Sequence, residues 1–235
     1  MSHHFLLFDN IHYSYTPERE VLRGLTLRLD HGEKVALVGA NGAGKSTLML
    51  HTNGLLTPSQ GRIVVGDMEL TAKTLRTIRQ SVGLVFQNPD DQLFMPTVEE
   101  DVGFGPANMH LSREEITERI ERALRAVGAL DLRHRSPQQL SGGEKRRVAI
   151  ATVLAMEPSI LVMDEPSAGL DPRARRQMIE LLLGFGHTAL IATHDLDMAQ
   201  RLCSRTVIML AGQVAADGPT SQILGDSALL DRCGL

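Results

Sequence analysis

The run GANGAGKST, Gly39 to Thr47, carries the strongest chemistry in the sequence. It follows the apolar stretch KVALV and precedes residues of helical character, so a buried strand should pass into a helix through a glycine-rich turn. Glycines let backbone N–H groups curl around phosphate oxygens without Cβ clashes, and the helix N-terminus adds a positive dipole end. Gly39, Ala40, Asn41, Gly42, Ala43, Gly44, Lys45, Ser46 and Thr47 are therefore the candidate residues for a nucleotide's phosphates. Lys45 is expected to reach the β- and γ-phosphates, and the Ser46 hydroxyl to ligate Mg2+.

A second apolar run, ILVMDEP at 160–166, would bring Asp164 to the C-terminal edge of a sheet, where ligands bind in open α/β folds. Asp164 could hold Mg2+ through water. Glu165 could orient or deprotonate a water attacking the γ-phosphate. IATHD ends a third run with His194. A lone histidine is often structural, but its strand-end position favours contact with a γ-phosphate. Gln87 closes VGLVFQ, so its amide could meet Mg2+ and the attacking water. Tyr15 could stack on adenine, with core packing as the alternative.

LSGGEKRRVAIA, residues 140–151, reads first as a helix start, with Ser141 and Glu144 as a capping box. Gly142 and Gly143 at the first two helical positions give up helix propensity and leave bare N–H groups, which suits an anion. Because the glycine turn already cradles one face of the phosphates, this second site fits a nucleotide bound to another subunit.

These residues must be held by strands and helices in alternation. FLLFDNIHYSY and EVLRGLTLRLD read as strands, GRIVVGDMEL as a hairpin around Gly66-Asp67, and TVIMLAGQVAADG as a closing hairpin. Between residues 89 and about 156 the pattern becomes helical, with a capping box at Ser112 and Glu115. The expected fold is α/β: a P-loop nucleotide-binding core with an N-terminal antiparallel β-subdomain and an inserted α-helical subdomain at about 89–156. Residues 5–235 are expected to make one ATP-binding domain.

Composition narrows the class. A net charge of −4 and the absence of Trp argue against nucleic acid as the main partner. Cys203 and Cys233 lie in no C-x-x-C pattern, which points to a reducing compartment. No apolar run is long enough to span a membrane, so a protein soluble on its own is expected. If Met1 is removed, Ser2-His3-His4 could make a square-planar nitrogen site for Cu(II) or Ni(II); a disordered polar start is the alternative.

Together these residues resemble the ATP-binding cassette (ABC) family, the motor subunits of ABC transporters, from Tyr15 to about Gly218. GANGAGKST looks like its P-loop, LSGGEKRRVAIA its signature, ILVMDEP its Walker B strand, and SAGLD with Asp171 its D-loop. Gln87 and His194 match its Q-loop and H-loop. The resemblance implies a head-to-tail dimer with two ATP molecules between the subunits. Ser141, Gly142 and Gly143 would then contact the γ-phosphate on the other subunit's P-loop. DNA-repair relatives normally split the cassette with a long coiled coil, whereas about 94 residues without heptads separate Ser46 from Ser141 here. Ribosome-binding relatives normally carry two cassettes.

FQNPDDQLFMPTVEEDVGFGPAN and HTNGLLTPSQGRI resemble, more narrowly, the ATPases of energy-coupling factor (ECF) importers for vitamins and transition-metal ions. Within that group the chain is most similar to cobalt and nickel importers; a biotin-type module is the alternative. The resemblance implies a transmembrane coupling subunit, a substrate-binding membrane subunit, a second ATPase (a copy or a close relative), and a place at the cytoplasmic face of the membrane. Asp90, Asp91, Glu99, Glu100 and Asp101 have no basic residue beside them before Arg113. They are expected to form a docking face for arginines of the coupling subunit, with Glu99 to Asp101 as helix-start residues in the alternative reading.

Overall fold

A computed structural model describes residues 5–235, and Ser2-His3-His4 lies outside them. In chain order the strands are β1 (Leu6–Thr16), β2 (Arg19–Leu29), β3 (Lys34–Val38), β4 (Gln60–Val65), β5 (Met68–Glu69), β6 (Val82–Val85), β7 (Ile160–Asp164), β8 (Thr188–Ala192), β9 (Arg205–Leu210) and β10 (Gln213–Pro219). The helices are α1 (Lys45–His51), α2 (Leu75–Ser81), α3 (Val98–Asn108), α4 (Arg113–Ala126), α5 (Gly142–Leu154), α6 (Pro172–Gly184), α7 (Leu196–Leu202), α8 (Thr220–Gly225) and α9 (Ser227–Cys233).

The chain forms two compact units. The first comprises residues up to Leu84 with Ser159–Glu165 and Gly186–Leu235. Its antiparallel sheet runs β2-β1-β4-β5. Alternation explains one face of it: Leu25, Leu27 and Leu29 of β2 are buried while Thr26 and Arg28 point outward. The second sheet runs β10-β9-β3-β8-β7-β6. Here β3 pairs in parallel with β8 and β9, and β7 with β8, while β10 is antiparallel to β9. Every residue of β7 and β8 is buried, so these strands are continuous apolar runs rather than alternating ones.

The second unit comprises Val85–Pro158 and Pro166–Phe185. Its helices α3, α4 and α5 pack on one another. Each begins with a capping box: Thr97 with Glu100, Ser112 with Glu115, and Ser141 with Glu144.

The acidic stretch is not uncompensated, as its local sequence suggests. Asp90 pairs with Lys145 of α5 at 2.6 Å. Glu99 pairs with Arg133 at 2.5 Å, and the Arg133 guanidinium holds its carboxyl below the usual range. Glu100 completes the α3 capping box. Asp101 is buried; its Oδ1 accepts the N–H groups of Phe94 and Met95, and burial raises its pKa. Asp90 and Asp91 lie in a 3-10 turn, Pro89–Asp91, where the Asn88 side chain accepts from Asp90 N–H. The cations come from positions more than 30 residues away in sequence, so no local reading could count them. Of the five, Asp91 and Glu100 are exposed without an ion pair, and Glu100 is already engaged by Thr97 N–H and Oγ1–H, so Asp91 is left with a carboxylate that neither pairs with a cation nor caps a helix.

Candidate functional site

In the first unit, β3 ends at Val38 and the chain turns through Gly39 to Gly44 into α1. Gly39 cannot be replaced cheaply, because an added Cβ would sit 2.4 Å from the Met209 carbonyl oxygen. Gly42 and Gly44 adopt φ of 81° and 103°, a region L side chains rarely enter. The turn is closed by Ala43 N–H donating to Ala40 O, and it is pinned from outside by Gly212 N–H donating to Ala43 O. Asn41, Gly42 and Ser46 are exposed, whereas Lys45 and Thr47 are 7% exposed each.

Lys45 Nζ donates to Gly39 O at 2.6 Å and Ala40 O at 3.2 Å. Burial lowers its pKa, while Glu165 and Asp164 pull it back up. The ammonium thus holds the loop open around itself, and those bonds can be exchanged for phosphate oxygens. Tyr15 is half exposed on β1 and its hydroxyl lies 3.2 Å from Thr47 Oγ1.

Asp164 ends β7 and Glu165 follows it; both are 8% exposed. Glu165 takes φ of 49°, a left-handed conformation that costs a non-glycine residue energy. Its N–H donates to Ala192 O, and its Oε2 accepts the His194 N–H at 3.2 Å. Oε1 accepts no hydrogen bond, although His194 Nε2 lies 3.4 Å away, within ion-pair range if protonated. Burial first, and neighbouring Asp164 after it, raise the Glu165 pKa against the opposing pull of His194 and Lys45. An orphaned carboxylate oxygen, an exchangeable lysine and an exposed serine hydroxyl fit a Mg2+–nucleotide. Ser46 and Asp164 could hold the metal. Among the described residues no group of three or more His, Cys, Asp or Glu is placed to hold a metal ion.

The second unit holds the other expected residues. Gln87 is exposed just after β6. Ser141 caps α5 while its own N–H donates to Glu144 Oε2 at 2.7 Å, and an added Cβ on Gly142 would meet nothing within 4 Å. Ser141, Gly143 and Asp171 line one cleft of about 320 Å3 with Glu144, Arg147 and Arg173. Asp171 also caps α6, accepting from Arg173 N–H and Ala174 N–H, which lowers its pKa.

Sequence reading missed two residues that fix the Gln87 segment. Gln92 Oε1 accepts from Phe86 N–H, and its amide donates to Ala149 O and Thr152 Oγ1, both at 2.7 Å. Arg146, 6% exposed, donates to Phe86 O and Ala168 O. Its spacing of four and seven from Ile150 and Val153 was a usable signal, since it puts a cation on the buried face of α5. Gln92 carried no such signal.

A glycine turn between a buried strand and a helix, with a lysine inside it and an Asp-Glu pair at the end of β7, two strands along the same sheet, defines a P-loop ATPase. The ABC transporter family model matches residues 22–168, and the chain belongs to that family. An EcfA, the energy-coupling factor transporter ATP-binding protein of Methanothermobacter thermautotrophicus, is 44% identical over 231 residues, covering 96% of this chain and 74% of the relative. The structure of CbiO1 from Clostridium perfringens, part of the ABC transporter complex CbiONQ, has 38% identity and a TM-score of 0.85, covering 98% of this chain and 94% of that one. The cassette MJ0796, a dimer in a post-hydrolysis state with ADP and Pi, has 28% identity and a TM-score of 0.82, covering 92% of this chain and 98% of that one. This chain is therefore an ATP-binding ABC ATPase of a transporter. Among the described residues no helix is long and apolar enough to cross a membrane.

Proposed function

We propose that this ATPase is the motor subunit of an ECF-type importer for cobalt or nickel ions. The observation that carries the reading is its likeness to CbiO1 along nearly the whole of both chains. The EcfA likeness supports the importer type. That name carries no solute, which keeps an ECF importer for a vitamin such as biotin as the second reading.

In this reading residues 5–235 act as one ATP-binding domain. The phosphates settle on the amides of Gly39 to Thr47, and Lys45 exchanges its loop carbonyls for β- and γ-phosphate oxygens. Tyr15 stacks on adenine. Ser46 and Asp164 would hold Mg2+, which when bound would neutralise phosphate charge. Glu165 takes a proton from the attacking water at Oε1, the oxygen without a hydrogen bond, while His194 N–H steadies Oε2. The raised pKa makes the carboxylate a stronger base. His194 contacts the γ-phosphate.

A second ATPase subunit, a copy or a close relative, presents Ser141, Gly142 and Gly143 to that γ-phosphate, with Asp171 beside them. ATP binding then closes the dimer and hydrolysis opens it, a two-state element biased by one phosphate. The subunit sits peripherally at the cytoplasmic face of the membrane, on a coupling subunit and a substrate-binding membrane subunit.

Purification from detergent extract should bring down two membrane proteins, and vesicles reconstituted with them should take up cobalt when ATP is supplied. Uptake of biotin but not cobalt would favour the second reading, and recovery of ribosomes or DNA instead would overturn both. Asp91 is the carboxylate left for an arginine of the coupling subunit. Asp91→Ala should lower recovery of the membrane partners about tenfold while ATP affinity stays unchanged. Equal recovery would remove Asp91 from the docking face.

A further inference from the structure

Four residues close a ring of contacts beside the phosphate loop. Tyr15 Oη lies 3.2 Å from Thr47 Oγ1. His51 Nδ1 lies 2.7 Å from the Thr47 carbonyl oxygen. The Tyr13 ring meets His51 edge-on at 4.7 Å and Tyr15 edge-on at 5.0 Å. The ring joins β1, which carries both tyrosines, to α1, which begins at Lys45. Thr47 is its hinge: one oxygen faces Tyr15 and the other faces His51.

His51 is the member that packing does not explain. It is 0% exposed. Because Nδ1 faces a carbonyl, Nδ1 must carry the proton and donate, which leaves Nε2 as a bare lone pair. That Nε2 is buried and meets no donor. A buried acceptor without a partner lowers stability. Burial also pushes the imidazole pKa down, so the neutral ring is the form the site holds. A leucine would fill a similar space with no orphaned atom. What only the histidine supplies is the Nδ1–H bond to the Thr47 carbonyl, at the end of the phosphate loop.

We infer that His51, with Tyr13, is a positioning residue that couples the base platform to the phosphate loop. The inference rests on the proposed role of Tyr15 as the surface that stacks on adenine. A base resting on Tyr15 fixes the Tyr15 ring, and the ring fixes Thr47 from both sides. Recognition of base and phosphate then becomes one cooperative event. A nucleotide that stacks poorly loses phosphate affinity as well as base affinity.

The test is a double-mutant cycle on the full-length protein, reading ATP affinity by calorimetry, KM and kcat by ATPase assay, and the melting temperature. His51→Leu should keep or raise the melting temperature, weaken ATP binding about tenfold and raise KM with kcat within about twofold. His51→Asn keeps an N–H at the Nδ1 position and should return ATP affinity to within about twofold of the parent. Tyr15→Ala should weaken ATP binding strongly in the parent and much less in the His51→Leu background. Three outcomes overturn the coupling: losses that multiply independently in the double variant, unchanged ATP affinity in His51→Leu, or no rescue by asparagine. If Tyr15→Ala alone leaves ATP affinity unchanged, the stacking role itself fails, and the cycle distinguishes that result from the others.

Discussion

Replacing Glu165 with glutamine is expected to leave ATP binding intact and to lower steady-state turnover by about 10^2–10^4-fold. The amide keeps an acceptor for the His194 N–H, so the local geometry should survive. It cannot take a proton at Oε1, the position where the carboxylate has no hydrogen bond. The variant should accumulate as an ATP-bound closed dimer in gel filtration, and normal turnover would end the role assigned here. The pH dependence has a definite sign. The folded-state pKa of Glu165 is raised, and catalysis needs the ionised form, so parent activity should fall as pH drops through that raised value. Stability runs the other way. The folded state holds this proton more tightly than the unfolded chain, so ionisation at neutral pH disfavours the fold. Glu165→Gln should therefore melt no lower than the parent.

Lys45→Met is expected to weaken ATP binding on the order of 100-fold, measured by calorimetry with and without Mg2+. The substitution removes the cation for the β- and γ-phosphates while keeping an unbranched apolar stem in a site 7% exposed. It also removes the donor that Gly39 O and Ala40 O share, so the empty loop should lose order. Lys45→Arg should not rescue it, because a planar fork does not fit a pocket that holds a single ammonium. A third effect follows from electrostatics: Lys45 lowers the Glu165 pKa, so its loss should move the acid limb of any residual activity to higher pH. ATP affinity equal to that of the parent would refute the placement of Lys45 against the phosphates.

The elements beneath the loop were legible because their signals are local. KVALV, ILVMD and TALIA are short apolar runs, and they are β3, β7 and β8, with most or all of their residues buried. The capping boxes at Ser112 and Ser141 were likewise readable from four residues each. The short helices α2, α8 and α9 were missed, being six or seven residues long with little room for periodicity. The acidic stretch misled because charge compensation is tertiary: Lys145 and Arg133 reach Asp90 and Glu99 across long separations. The strain at Glu165 and the burial of His51 had no sequence signature either, since both depend on what surrounds them.

The strand order of the second sheet bears on how the protein is made. β3 leads into the phosphate loop, and both its hydrogen-bonded neighbours, β8 and β9, come late in the chain. Lys34 pairs with Ala189, 155 positions downstream. At about 5–20 residues per second, that interval is roughly 8–30 s of synthesis during which an apolar strand waits with bare edges. Helices α3 to α5 draw their capping boxes and mutual packing from residues 97 to 154 and can form within that time. The ATP site cannot. A nascent chain halted before Arg205 would hold every motif residue from Tyr15 to His194, yet lack the strand that flanks β3 on one side. Nucleotide can stabilise the finished protein, but it arrives too late to guide the strand on which its own loop is built.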